Sequence, residues 1–117
     1  MKKREYKLYV DDILQSMDKI FQYTEGMEYE QFIANDIVVD ATIRNLEIIG
    51  EAARNIPDTV RAKHPEIPWK RMLGLRNIVI HEYFGIDLSI VWEIVTKNLT
   101  ETKPKIVAMR SSMEPGK

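Results

Sequence analysis

No cysteine occurs in the 117 residues of this chain, which excludes disulfides and thiolate metal sites. Histidine is scarce as well: His64 and His81 are the two, too few to suggest a metal centre. No apolar run approaches the length of a bilayer span. The opening Met1-Lys2-Lys3-Arg4-Glu5 is basic, but the apolar core of a signal peptide does not follow it. A cytoplasmic chain with no membrane contact is therefore expected. Alternating apolar and polar residues are missing over any useful length, and so is a hairpin signal, so no sheet is expected. A net charge of −1 argues against a protein that coats nucleic acid with its whole surface.

What remains is an ordinary globular balance, 44% hydrophobic and 30% charged, in a length that makes one domain over residues 1–117 with a modest core. Its periodicity is helical. Tyr6, Val10, Ile13, Leu14, Met17, Ile20 and Phe21 step by three and four, an amphipathic helix stopped near Gly26. A short helical turn follows over Met27–Ala34, anchored by Tyr29, Phe32 and Ile33. Asn35 or Asp36 can cap a long helix from about Ile37 to Asn55, ended by Pro57. Its apolar face takes Ile37, Val38, Ala41, Leu46, Ile49, Ala52, Ala53 and Ile56. Asp58–His64 reads as one short turn closed by Pro65, with His64 as a polar C-terminal cap.

The next helix runs from Pro68, acceptable at a first turn, to Gly85, placed to stop it. Its apolar stripe is Trp69, Met72, Leu73, Ile80 and Phe84, with Val79 beside it. Asp87 caps a last helix whose core side takes Leu88, Val91, Trp92, Val95 and Leu99. Pro104 should kink or break that helix, Ile106 and Met109 continue its apolar side, and residues 111–117 form a frayed tail. The sum is an all-α, up-down bundle of four main helices plus short helical turns.

Charge is unevenly spread. Asp11 to Asp40 holds eight acidic residues against Lys19 alone, whereas Val60 to His81 holds Arg61, Lys63, Lys70, Arg71 and Arg76 against Glu66. The basic segment could draw a phosphate backbone, with Lys70 and Arg71 as RNA-binding candidates, or it could be a solvated helix face.

That segment also gathers the reactive groups. Arg76, Asn77, His81 and Tyr83 crowd into a turn and a half, in the order Arg-x4-His-x-Tyr. Arginine stays charged and forks onto phosphate oxygens, while histidine takes or gives a proton near neutrality. Earlier in the chain, Arg44, Glu47 and Glu51 share a face of the long helix. Glu47 and Arg44 read as an ordinary ion pair. Gly50 and the neighbouring alanines suggest close helix packing, so Glu51 could orient the motif Arg or His.

These residues resemble the HEPN superfamily, and its HepT-like branch in particular, which are small helical ribonuclease toxins. The Arg44–Ala53 block and the Ile67-Pro68-Trp69 lead-in match that branch in order and distance, and the resemblance runs from about Tyr6 to Met109. It implies that Arg76 and His81 are the catalytic pair of a metal-independent endoribonuclease acting as a homodimer, with no cofactor. It further implies a minimal nucleotidyltransferase antitoxin as partner, which transfers AMP onto Tyr83.

Residues five apart on a regular helix point about 140° from each other, so one protomer does not present Arg76 and His81 together. Either the Arg76 side chain curls round, or the helix is distorted towards Gly85, or two protomers line one cleft and supply two histidines. Asn77, four residues before His81, could orient its ring. The competing class is a non-catalytic adaptor that binds a nucleotidyltransferase or a nucleotide. Intact Arg76, His81 and Tyr83 favour the enzyme, and they disfavour a plain helical oligomerisation protein.

Overall fold

The computed structural model describes residues 5–81 and 87–113, with the backbone alone at 78–81. Among the described residues there are only helices and turns. α1 (Tyr6–Thr24) buries Val10, Ile13, Met17 and Ile20 completely, as the three-and-four spacing requires. Its last turn is tied by the Thr24 hydroxyl donating to the Ile20 carbonyl at 2.9 Å. Gly26 then turns the chain at φ +76, a conformation that costs a glycine little. α2 (Tyr29–Ile33) is too short to persist alone; a capping box starts it, in which the Glu28 N–H donates to the Gln31 side chain at 2.8 Å. Its anchor is Phe32, fully buried against Trp92 with ring centroids 5.0 Å apart, whereas Ile33 is exposed.

α3 (Asp36–Arg54) begins at Asn35, whose side chain accepts from the Val38 N–H at 3.0 Å. It packs on α1 along one side and on α5 (Trp69–His81) along the other, so it is the spine of the bundle. Leu46, Ile49, Ala52 and Ala53 fill the space between. Truncating the fully buried Ile49 to alanine would cost about 2–5 kcal/mol, a large part of the stability of a small protein. Ile37 departs from expectation. It is 81% exposed, because it shares the outward line of α3 with Arg44 and Glu51, seven and fourteen residues on.

α4 (Asp58–Arg61) is a single turn, and the chain then reaches α5 through Ile67, buried at 2% exposure. The His64 carbonyl accepts from the Trp69 indole at 3.0 Å, pinning the first turn of α5. His64 thus contributes through its backbone, its ring lying 3.7 Å from Glu66.

Asp87 caps α6 (Leu88–Glu93), accepting from the Ser89 N–H at 2.9 Å and its hydroxyl at 2.5 Å. A π-turn (Ile94–Asn98) follows, in which the Leu99 N–H reaches back to the Ile94 carbonyl, and α7 (Leu99–Ser112) completes one continuous helical run. The expected break at Pro104 is absent. Proline removes the donor for the Thr100 carbonyl, but both residues lie on the exposed side of α7, where solvent can take that acceptor. The irregularity lies upstream instead, at the π-turn, where the Thr96 hydroxyl donates to the Trp92 carbonyl at 2.8 Å. Ser111 and Ser112 belong to α7 rather than to a frayed tail, since Ser112 donates to the Met109 carbonyl at 2.7 Å. Residues 114–117 lie outside the described residues.

α7 closes the bundle against α1. Arg110 grips Asp11 with both ends of its fork, Nε at 2.6 Å and Nη2 at 3.3 Å, and Lys103 reaches Asp18 at 2.5 Å. Part of the acidic excess of the first helix is thereby neutralised within the fold. Among the described residues, no helix is long and apolar enough to cross a membrane.

Candidate active site

The site begins with Gly50. A Cβ there would lie 2.9 Å from the Arg76 backbone nitrogen, 3.2 Å from the Met72 carbonyl and 3.3 Å from the Arg76 Cβ. Only a residue without a side chain lets α3 and α5 cross this closely. The crossing falls on the turn of α5 that carries Arg76. The next residue along α3 is Glu51, and its Oε1 lies 3.2 Å from Arg76 Nε. Helix contact and ion pair are therefore one construction.

Glu51 also lies 3.9 Å from the Arg54 guanidinium, and Arg44 pairs with Glu47 at 3.5 Å one turn earlier. The Glu51 and Arg76 side chains are 49% and 41% exposed, so their attraction is screened and adds under about 1 kcal/mol to stability. Its effect is geometric. Glu51 holds the Nε side of the guanidinium, which leaves the two Nη groups free in direction to fork onto a phosphate. Of the two motif side chains that Glu51 was expected to meet, Arg76 is the one among the described residues that it contacts.

α5 is a regular α-helix from Trp69 to His81. A distortion between Arg76 and His81 is thus not how the pair would meet, and their directions from the axis differ by about 140°. The His81 side chain, Tyr83, Phe84 and the Gly85 stop lie outside the described residues. Asn77 is exposed on the outward side of α5. Inward, Met72 and Leu75 are buried, and Leu75 is a core position the apolar stripe did not include.

Arg71 and Arg76 do not share a surface. Arg76 faces α3, whereas Arg71 lines a cavity with Ile94, Asn98 and Glu101 of the opposite wall. The two cations stand five positions apart, and the helix turns one of them away. Lys70 is exposed between them.

The bundle and its Arg76-bearing helix define a small all-α protein of the HEPN class. Residues 13–109 match the family described as Ribonuclease HepT-like. A protein of Methanocaldococcus jannaschii with the name "Putative RNase MJ1380" is 45% identical over 106 residues, which cover 91% of this chain and 97% of that one. The "Probable ribonuclease HepT" of Thermococcus cleftensis is 39% identical over 108 residues, 92% of this chain and 98% of its own length. A third relative, "Putative RNase TTE0752" of Caldanaerobacter subterraneus, is 38% identical over 84% of this chain and 88% of its own. No solved structure matches the chain. The chain belongs to the ribonuclease HepT-like family.

Proposed function

We propose that the chain is a metal-independent endoribonuclease that cuts RNA by internal transesterification, with Arg76 and His81 as its catalytic residues. The observation that carries this reading is the Glu51–Arg76 pair at the Gly50 crossing: a half-exposed arginine is held by its Nε, at the head of the Arg-x4-His-x-Tyr segment. The step itself is simple. The 2′-oxygen attacks the adjacent phosphorus as its proton passes to a histidine. The P–O5′ bond breaks, and the leaving 5′-oxygen takes a proton from an acid. Arg76 neutralises the charge that gathers on the non-bridging oxygens.

One histidine per chain in the motif supplies either base or acid, so the reaction requires a homodimer in which two motifs line one cleft. The 140° divergence of Arg76 and His81 on one regular helix supports the same arrangement. Lys70 and Arg71 add positive charge along the approach of the strand, and Asn77 positions the His81 ring. In this reading the protein is the toxin of a pair. A minimal nucleotidyltransferase antitoxin silences it by esterifying the Tyr83 hydroxyl with AMP, which places a phosphate and an adenosine where RNA must lie.

The test is cleavage of a labelled RNA in the presence of EDTA, with analysis of the ends. Wild type should leave 2′,3′-cyclic phosphate termini. Arg76→Ala and His81→Ala should each abolish cutting while keeping the helical spectrum, and the double variant should lose little more, since the two groups act as a unit. A folded single variant that cuts at the wild-type rate would remove that residue from the mechanism.

A further inference from the structure

On the flank of α5 away from Arg76 lies a cavity of about 530 Å³ between that helix and the π-turn. Its floor is apolar, built by Met72, Leu75, Ile94 and Leu99. Arg71 and Lys105 supply cations to its lining, and Asn98, Thr102 and Glu101 supply hydrogen-bonding groups. A shallower cavity shares Arg71, Ile94, Asn98 and Glu101 with it and extends past Glu93 and Lys97, so the two make one groove. No ion pair among the described residues occupies Arg71, Lys97 or Lys105. π-turns are uncommon and concentrate at functional sites.

A second observation bears on the same place. Gly74 lies in the middle of α5 and lines the cavity, yet a Cβ built on it would meet nothing within 4 Å. A mid-helix glycine destabilises its helix relative to alanine. At Gly50 that cost is recovered by a tight helix crossing; at Gly74 no packing among the described residues recovers it. What the missing side chain does at 74 is leave the wall of the groove bare.

We propose that this groove is a nucleotide subsite: a base lies on the apolar floor beside Gly74, and Arg71 and Lys105 take its phosphate. Glu101, Asn98 and Thr102 face the polar edge of the base, the carboxylate accepting from an amino group. The volume falls within the about 300–1,000 Å³ of small-ligand sites and is too small for a partner helix. Mixed charge over an apolar floor fits a nucleotide better than bare phosphate. The inference rests on the ribonuclease reading for one point, that the nucleotide belongs to the RNA strand being cut. The subsite and Arg76 flank a single helix about 10 Å across, with exposed Lys70 and Asn77 between them, so a neighbouring nucleotide of the same strand can reach it.

The experiment titrates 5′-AMP, 5′-CMP and a non-cleavable 2′-O-methyl RNA into the isotope-labelled protein, and compares wild type with Gly74→Ala, Gly74→Leu and Arg71→Ala/Lys105→Ala. Nucleotide and RNA should shift the amides of Gly74, Asn98, Leu99 and Thr102. Both Gly74 variants should melt no lower than wild type. Gly74→Leu should lose those shifts and raise KM for RNA cleavage roughly tenfold, the scale of one lost base contact. Shifts with mononucleotides but no RNA cleavage by wild type would sink the ribonuclease reading and leave the groove as a free-nucleotide site. Cleavage by wild type with those amides unmoved, or a wild-type KM for Gly74→Leu, would overturn the subsite. So would Gly74→Leu turning a dimer into a monomer with no nucleotide shifts anywhere, since the groove would then be a contact between copies.

Discussion

Replacing Gly50 by alanine puts one methyl group into the crossing of α3 and α5. The new carbon would lie 2.9 Å from the Arg76 nitrogen and 3.2 Å from the Met72 carbonyl, both backbone atoms that cannot rotate away. Ordinary contact starts near 3.4 Å, so α5 must retreat by about 0.5 Å at this turn. Overpacking of this kind costs about 1–3 kcal/mol, and the better helix propensity of alanine returns about 1 kcal/mol. The net loss is up to about 2 kcal/mol, or up to about 8 °C in melting temperature for a chain of this size. The same retreat carries Arg76 off its 3.2 Å contact with Glu51. Displacements near 1 Å can cost a hundredfold in rate, so a roughly tenfold fall in kcat is expected here. Gly74→Ala is the internal control: with open space around its new methyl it should gain about 0.5–1 kcal/mol. Thermal unfolding followed by circular dichroism, beside an RNA cleavage assay, reads both quantities. If Gly50→Ala melts at or above wild type and cleaves normally, the crossing does not position Arg76.

Glu51→Ala should change stability by less than about 1 kcal/mol, because the pair is half exposed, yet lower kcat about tenfold; Glu51→Gln, which can still accept from Nε, should recover part of it. An unchanged kcat for the alanine variant would make the pair ornamental. Tyr83→Phe should keep most ribonuclease activity, since a phenol with a pKa near 10 is a poor base at neutral pH, but resist a nucleotidyltransferase partner supplied with ATP. Intact mass reads this directly, and wild-type labelling of Tyr83→Phe would place the modification elsewhere. The Asp87 carboxyl is held below the ordinary 3.8, chiefly by the Ser89 hydroxyl and then by the Ser89 N–H. A folded-state pKa below the unfolded one means that the cap's contribution is present above the usual carboxylate range and is lost as pH falls through the depressed value. In an NMR titration the Asp87 carboxyl should therefore protonate below 3.8, and Ser89→Ala should bring its midpoint upward.

The caps were readable because they depend on one or two neighbouring residues. Asn35, Asp87 and Gly26 do in space what their types suggest in sequence. Gly50 beside two alanines announced a close crossing, and Glu51 was singled out as an orienter of the motif because of it. Ile37 misled because one residue near a helix start weighs little in a periodic pattern, and a slight change of phase sends it outward. Arg71 and Arg76 looked like one basic patch along the chain, but helix rotation sends them to opposite flanks. The ties from Asp11 to Arg110 and from Asp18 to Lys103 join residues far apart in sequence, where charge counting sees only two separate excesses. The π-turn hides in plain periodicity: Val91, Val95 and Leu99 are spaced by four twice in succession, which a wider turn keeps on one face.

That spacing has a consequence for how this lineage can change length. From Val91 to Leu99 the chain spends eight residues on two turns, one more than a regular helix would need. Loss of a single residue from Ile94–Asn98 would convert the stretch to ordinary α-helix and leave Val91 and Leu99 still in line with the core. Loss of a residue between Leu99 and Ile106 would rotate everything beyond it by about 100° and turn Ile106 and Met109 out to solvent. Helices usually resist deletion, and loops accept it. Here the tolerant position lies inside a helix, in the wall of the groove, so a relative shortened by one residue at this point would keep the bundle and narrow the cavity opposite Arg71.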